Sequence, residues 1–319
     1  MRNPILALVL LSAACTSENE LRYTATLRAD TNGVALSDDG LDAYAAMSGT
    51  TCRIDTSWGC PTSDADLPTD HERVVDHWKG VTLGATEQGV HTILGQAWLQ
   101  EVDLEIAEVH SARLTDAGTL VVAGNEGDCV LSDDDGSMAV PGVVCSDLVV
   151  TDVDREDGSL VAATSEGVFR LSAARVDRLA DAADLVATDA HTGMVIFGNR
   201  GDVDVFAVDR AGEPVWTVRI EEPLQSIAVR GDRGELLLLV GDGAFGHVER
   251  RDLTSGELES SSSVPSTEGD LVVSGNGNTV GIVRPTEVHW YSLLLADEEP
   301  VVDENVETCM DAWDRASRD

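Results

Sequence analysis

The sequence predicts an all-β protein built from about seven similar units. A short apolar segment, a polar turn that ends in glycine and a second apolar segment recur along the chain. No long stretch between them has the apolar period of a helix. The mean separation of the closing glycines is about 40 residues, close to one four-stranded propeller blade. These glycines are Gly40, Gly89, Gly118, Gly158, Gly193, Gly234 and Gly277, with separations of 49, 29, 40, 35, 41 and 43 residues.

The segments beside the turns are typical of buried β-strands. Apolar residues stand next to one another in Leu185–Ala187 and Leu236–Val240, as in strands buried on both faces. A third segment such as Val203–Val208 follows most turns, and outer segments such as Pro214–Ile220 supply a fourth strand. We therefore expect a β-propeller of seven four-stranded blades over residues 22–295. A β-sandwich with a second, smaller domain is the alternative.

Two segments resemble known propeller repeats. Val34–Ala46 is similar to the strand–Ser-x-Asp-Gly–strand hairpin of WD-repeat and lactonase-type propellers. Phe206–Val218 resembles the repeat of quinoprotein-type propellers, with Asp209, Gly212 and Trp216 on the pattern, and Arg251–Leu258 is a weaker copy. The resemblance implies the fold and leaves the activity open, because propellers perform many unrelated functions.

The two ends of the repeat region have separate roles. Arg22–Arg28 alternates like a strand and is expected to complete the last blade beside Thr286–Leu294, which would close the ring and remove an exposed edge. Residues 296–319 are expected to form an acidic linker and a short C-terminal helix. The apolar positions of that helix are Val306, Cys309, Met310 and Trp313, which share one helical face.

Residues 1–14 have the parts of a secretory signal peptide: a positive start, an apolar stretch and small residues before the cleavage site. Leu11–Cys15 resembles the bacterial lipobox, which implies lipidation of Cys15 and a tether over residues 15–21. Ser12 stands where that motif usually has leucine, so ordinary secretion with an unmodified Cys15 is the alternative. The resemblance implies a lipid anchor in the cell envelope, with the outer membrane favoured over the inner membrane.

Export permits disulfides, and five cysteines remain after Cys15. The simplest pairing joins neighbours within one unit and leaves Cys309 over. The predicted bonds are Cys52–Cys60 and Cys129–Cys145.

The chain is strongly acidic. Lys and Arg number 21 against 58 Asp and Glu, so the formal net charge is −37. Nucleic acids and anionic lipid headgroups are poor partners for such a surface, because both bind through Lys and Arg. Cations or basic partners suit it better, and a solvated acidic coat is the structural alternative.

Motifs with defined chemistry are scarce. The gap between Gly40 and Gly89 is the longest, so residues 61–80 are predicted to be an inserted loop, with His71, His77 and Trp78 as a binding candidate. A possible calcium site is formed by Asp152, Asp154 and Asp157, which partly resemble an Asp-x-Asp-x-Asp-Gly loop. Hairpin turns also need Asp and Gly for backbone reasons alone, which is the alternative interpretation.

These observations favour a non-catalytic envelope lipoprotein whose propeller is a scaffold for a protein or a small ligand. No cofactor is predicted, apart from the possible calcium, and contact with the membrane is expected through the N-terminal lipid only. The alternative function is an extracytoplasmic propeller enzyme that acts on a lactone or a sugar.

Overall fold

The computed structural model describes residues 21–28, 31–47, 50–57, 59–61, 73–78, 81–86, 89–94, 97–102, 109–114, 120–124, 129–133, 136–139, 150–156, 159–171, 176–243 and 245–292. Some predictions therefore lie outside the described residues. These concern the signal peptide, the lipidated Cys15, the C-terminal helix, His71, Cys145, Asp157 and Cys309. In the described part of the chain, no helix has the length and apolar character needed to cross a membrane.

Most of the described residues lie in β-strands. In chain order these are β1 (Arg22–Leu27), β2 (Thr31–Leu36), β3 (Asp42–Met47), β4 (Thr50–Asp55), β5 (Cys60–Pro61), β6 (Arg73–Trp78), β7 (Val81–Thr86), β8 (Gly89–Leu94), β9 (Ala97–Val102), β10 (Val109–Leu114), β11 (Leu120–Gly124), β12 (Cys129–Asp133), β13 (Gly136–Ala139), β14 (Val150–Glu156), β15 (Ser159–Thr164), β16 (Gly167–Leu171), β17 (Val176–Ala180), β18 (Leu185–Asp189), β19 (Met194–Gly198), β20 (Asp204–Val208), β21 (Pro214–Arg219), β22 (Leu224–Arg230), β23 (Glu235–Gly241), β24 (Gly246–Asp252), β25 (Leu258–Val264), β26 (Asp270–Val273), β27 (Thr279–Val283) and β28 (Val288–Ser292). A 3₁₀ turn occupies Gly231–Arg233.

The strands in the described ranges form seven four-stranded antiparallel sheets. Sheets 1 to 6 each take four consecutive strands, from β2–β5 to β22–β25, and sheet 7 combines β26, β27 and β28 with β1. The first strand of each sheet contacts the first strand of the next, and β26 contacts β2, so the sheets form a closed ring. This arrangement confirms the predicted β-propeller.

The closing strand also lies where the sequence predicts it. β1 pairs antiparallel with β28, with Arg22 opposite Ser292 and Leu27 opposite Val288. Leu27 is buried in the same apolar cluster as Trp290, in the layer between sheets 7 and 1. The ring is therefore closed by backbone pairing and by apolar packing from the N-terminal strand.

The core lies in the layers between neighbouring sheets. On β23, Leu236, Leu238 and Val240 belong to a cluster shared with sheet 5. The alternate residues Leu237 and Leu239 pack with sheet 7. β19 and β23 are buried on both faces, which explains their unbroken apolar sequences.

The turns between the third and fourth strands join neighbouring sheets. Gly256 lies so close to the outer strand of sheet 5 that a Cβ there would sit 2.7 Å from Val218 Cγ1 and 3.1 Å from the Trp216 ring. Trp216 Nε1 in turn donates a hydrogen bond to the Leu253 carbonyl at 2.9 Å. Gly59 and Gly212 also lie close to a strand of the neighbouring sheet: Gly59 lies against β1, and Gly212 lies against β17. The quinoprotein-like residues Gly212 and Trp216 thus hold adjacent sheets together.

One part of the predicted repeat is wrong. Gly89 begins β8, so it follows the connection between the second and third strands of sheet 2. The first two strands of that sheet are joined between Trp78 and Val81, which pair with each other. The equivalent glycine is therefore Gly80, and the separations of 49 and 29 residues become 40 (80 − 40) and 38 (118 − 80).

The predicted insertion over residues 61–80 is corrected by the same observation. Arg73–Trp78 forms β6, the first strand of sheet 2, and not part of a loop. Two residues, Lys79 and Gly80, stand between β6 and β7 in the sequence, and neither is Ser, Asp or Asn. This segment therefore lacks the polar residues of the predicted pattern, which is present again just before Gly89.

The cysteine positions can be described by strand register. Cys60 lies opposite Asp55, and Cys52 lies opposite Ala45, so Cys52 and Cys60 are not a directly opposed pair. Cys129 lies opposite Ala123. The two disulfides, Cys52–Cys60 and Cys129–Cys145, stay predictions.

Candidate binding face

The ring has two faces with different connections. The first-to-second and third-to-fourth connections of each sheet lie on one side, which we call the turn face. The second-to-third connections and the links between sheets lie on the other, which we call the loop face. This division follows from the antiparallel order of the strands in every sheet.

Aspartates on the turn face satisfy backbone groups. Asp252, for example, accepts hydrogen bonds from the backbone N–H groups of Thr254 and Ser255 at 3.0 and 2.8 Å. The same arrangement is present at Asp39, Asp189 and Asp209. Hydrogen bonds from Ser37 and Leu41 lower the pKa of Asp39, and those from Thr254 and Ser255 lower the pKa of Asp252. These carboxylates stabilise turns, as Asp commonly does.

The loop face is best described at sheets 5, 6 and 7. At its centre is the segment Gly241–Gly246 between β23 and β24, which we call the Phe245 loop; Ala244 lies outside the described residues. Links on both sides hold this loop. Gly241 N donates to the Pro223 carbonyl at 2.9 Å, and Gly243 N donates to Thr267 Oγ1 at 3.0 Å.

The contact with Thr267 also fixes how closely the loop approaches the link to sheet 7. Thr267 is 0% exposed, and its backbone N–H donates to the Gly243 carbonyl at 3.1 Å. A Cβ at Gly246 would lie 2.2 Å from Thr267 Cγ2, so only glycine fits at this position. The Phe245 loop is therefore fixed at both ends by its neighbours.

This loop exposes an aromatic ring. Phe245 is 77% exposed, the highest value among the large apolar side chains that the structure describes. Scattered exposed apolar residues are ordinary on protein surfaces. Phe245 differs because it projects from a loop whose backbone is bound on both sides. The backbone of this loop is already ordered, so little entropy is lost in ordering it when a partner binds.

Unpaired carboxylates surround the Phe245 loop. Glu221, Asp242 and Glu268 are all exposed, and within the described ranges none of them has a cationic partner. Glu268 Oε1 is 3.2 Å from the point that a Cβ on Gly243 would occupy, so it lies against the loop. These carboxylates differ from the aspartates of the turn face, because no backbone N–H group binds them in the described part of the chain.

Several cations of the loop face are paired with acids. Arg200 Nη2 lies 2.7 Å from Asp270 Oδ1. Arg284 forms an ion pair with Glu287 and donates to the Ser266 carbonyl at 3.2 Å. These pairs leave the negative charge around Phe245 uncompensated.

The Glu287 carboxylate lies between two basic side chains. His289 Nε2 is 3.2 Å from Glu287 Oε1, and Arg284 Nη1 contacts the same oxygen. Burial opposes ionisation of Glu287, but the neighbouring His289 and Arg284 outweigh it and lower the pKa of Glu287. Tyr23 of the closing strand lies over His289, with ring centroids 6.3 Å apart.

Two residues of the predicted calcium loop, Asp152 and Asp154, lie in strand β14. Asp157 lies outside the described residues, so the calcium site stays a prediction. The carboxylate of Asp154 accepts a hydrogen bond from Thr188 N at 2.7 Å and so joins sheet 4 to sheet 5. No group of three or more His, Cys, Asp or Glu side chains suited to a metal is present among the described residues. Of the predicted loop candidates, His77 and Trp78 belong to β6.

Comparisons with known proteins support the fold. No protein-family model matches the chain, and no curated protein matches it in sequence. A chain of the mitotic checkpoint complex matches with a TM-score of 0.67 and 13% identity, over 92% of this chain and 99% of that chain. The Pan2 WD40 domain of Neurospora crassa matches with a TM-score of 0.65 and 10% identity, over 88% and 98%. The chain has the fold of a WD40 β-propeller.

At these identities the likeness to WD40 propellers establishes the fold alone. Solved chains with a matching fold number 1376, so the fold does not select one function. The Phe245 loop was not found by sequence reasoning. Its signal was a cluster of glycines around one aromatic residue, Gly241-Asp-Gly-Ala-Phe-Gly246, directly after the apolar segment Leu236–Val240.

Proposed function

We propose that this chain is a lipid-anchored envelope protein whose propeller binds a protein partner through the loop face. The observation that carries the proposal is the rigid Phe245 loop, with an exposed ring among carboxylates that have no structural task in the described part of the chain. Exposed aromatic residues on ordered backbone are the usual anchors of protein interfaces. One of the solved structures with this fold comes from a multiprotein assembly, which agrees with a scaffold function.

The lipid anchor is the second part of the proposal. Leu11–Cys15 supports it, and the closing strand β1 begins at Arg22, seven positions after Cys15. A tether of this length extends at most about 25 Å, so the propeller would stay close to the membrane surface. The acidic surface would not add electrostatic binding to anionic lipids, and membrane attachment would depend on the lipid.

Site-specific crosslinking in cells tests the binding face. A photo-crosslinking amino acid at Asp242, beside Phe245, should give a discrete adduct with another envelope protein. The matched control places it at Glu257, which is exposed on the turn face of the same sheet. Equal adducts from both positions, or none from Asp242 and neighbouring loop-face positions, would show that the loop face is not the binding surface.

Fractionation tests the anchor separately. Cys15→Ala should move the protein from the membrane fraction to the soluble fraction, whereas Cys309→Ala should leave it in the membrane. The anchor would be disproved by equal membrane association of the Cys15→Ala variant and the wild type.

A further inference from the structure

We infer that the Phe245 loop and its flanking carboxylates bind a protein segment that carries arginine or lysine beside an apolar side chain. This inference rests on the proposed function and names the chemistry of the partner. It begins from the two properties that meet at this place: a ring that is 77% exposed and a set of carboxylates without cationic partners among the described residues.

The ring supplies the first contact. The face of an exposed phenylalanine attracts a guanidinium or ammonium group within about 6 Å of its centroid, and its area packs against apolar side chains. The loop is bound to Pro223 on one side and to Thr267 on the other. The backbone on either side of the ring is therefore positioned before the partner arrives, which reduces the entropy cost of binding.

The carboxylates decide the charge of the partner. Asp242 is in the loop itself, Glu268 lies against it, and Glu221 is in the link whose Pro223 carbonyl holds Gly241. A cation over the ring would lie close to these groups. The nearby Arg200 and Arg284 do not offset them, because each is paired with an acid of its own. An acidic segment would be repelled, so charge complementarity selects a basic one.

Other features of the molecule are less suited to bind a partner. The aspartates of the turn face are bound to backbone N–H groups. Leu41 is 66% exposed, but it lies on the turn face beside Asp39, whose carboxylate accepts a hydrogen bond from the Leu41 backbone. Leu41 therefore serves as the matched control for Phe245, and the exposed Glu257 of the turn face serves as the control for Glu268.

Fluorescence anisotropy with defined peptides tests the inference on the full-length protein. The probe is a labelled peptide of alternating Arg and Trp residues, and the control peptides alternate Glu with Trp or Arg with Ser. The Arg–Trp peptide should bind most tightly. Phe245→Ala should weaken its binding by about tenfold or more, the loss expected for a central aromatic anchor. Leu41→Ala should bind like the wild type.

The charge contribution is measured in the same assay. Glu268→Gln should weaken binding and reduce its dependence on salt, whereas Glu257→Gln on the turn face should change neither. Thermal melting of each variant confirms that the exposed substitutions leave the fold intact.

Three results would overturn the inference. These are no binding of the Arg–Trp peptide to the wild type, equal binding of the Glu–Trp peptide, or equal losses from Phe245→Ala and Leu41→Ala. Crosslinking at Asp242 distinguishes this failure from failure of the proposed function. A crosslinked protein partner without peptide selectivity would refute only the partner chemistry.

Discussion

Replacing Gly256 by alanine should destabilise the propeller much more than the same change at Gly234. Both glycines close turns in sheet 6 with a left-handed backbone, at φ +73° and +64° respectively. Their surroundings differ. A Cβ at Gly256 would meet Val218 and the Trp216 ring of sheet 5, whereas a Cβ at Gly234 would have nothing within 4 Å.

The magnitude follows from two contributions. A left-handed alanine costs about 1–2 kcal/mol, and the reduced freedom of the unfolded chain returns about 0.4–1 kcal/mol, so Gly234→Ala should cost about 1 kcal/mol. Gly256→Ala carries the same cost and adds about 1–3 kcal/mol of overpacking, for a total of about 2–4 kcal/mol. The overpacking is not easily relieved, because the hydrogen bond from Trp216 to the Leu253 carbonyl holds the ring in place.

Urea denaturation followed by circular dichroism measures both losses. The slope of the transition should be unchanged, since neither substitution alters the surface exposed on unfolding. A double variant with Gly256→Ala and Val218→Ala should lose less stability than the sum of the single variants, because the smaller side chain removes the closest contact of the new methyl group. Equal losses from Gly256→Ala and Gly234→Ala would show that the contact between sheets 5 and 6 does not constrain this turn.

Three further predictions concern ring closure and titration. Deleting Leu21–Arg28 should yield aggregated or protease-sensitive protein, because β28 would become an unpaired edge. Limited proteolysis checks this, and the control is a deletion of residues 311–319, which should have only a mild effect on protease sensitivity. The lowered pKa of Asp252 means that its stabilising contribution is present above its usual value of 3.8 and is lost as the pH falls through the lower folded value. Asp252→Asn should therefore lower the melting temperature at pH 6 but not at pH 2, and equal losses at both values would contradict the assignment. Burial raises the pKa of Tyr291 to about 12. The contribution of the neutral Tyr291 to the stability of the fold is therefore present below pH 10 and is lost as the pH rises towards 12. Tyr291→Phe should remove one step in the phenolate absorbance near pH 12. If the step persisted in this variant, it would not come from Tyr291.

The repeat architecture was predictable because its causes are local. A hairpin turn needs glycine where φ is positive and a short polar side chain to bind its backbone, and both leave a pattern in the sequence. The closing strand was predictable for a related reason, since Arg22–Arg28 alternates like a strand and lies before the first full repeat unit. The mistake at Gly89 marks the limit of this approach. Trp78 pairs directly with Val81, and the two residues between them in the sequence lack the polar side chains that the pattern requires.

The candidate binding face was not predictable, because its parts are distant in the sequence. Pro223, Gly241 and Thr267 belong to three separate connections and meet only when sheets 5, 6 and 7 are stacked. Phe245 directly precedes β24 and could equally have extended that strand. Its exposure depends on the glycines that turn the chain away from the sheet at this point.

The net charge of −37 illustrates why composition alone cannot locate function. Asp252 and Asp242 are ten positions apart and identical in type, but their surroundings give them different roles. The carboxylate of Asp252 binds the N–H groups of Thr254 and Ser255, so it is part of the turn that holds sheet 6 against sheet 5. Asp242 has no such partner among the described residues and faces the solvent beside Phe245. Asp252→Asn should therefore change stability without changing binding of the Arg–Trp peptide, and Asp242→Asn should do the reverse. If both substitutions changed only stability, the acidity of the loop face would be a solvated coat like the rest of the surface.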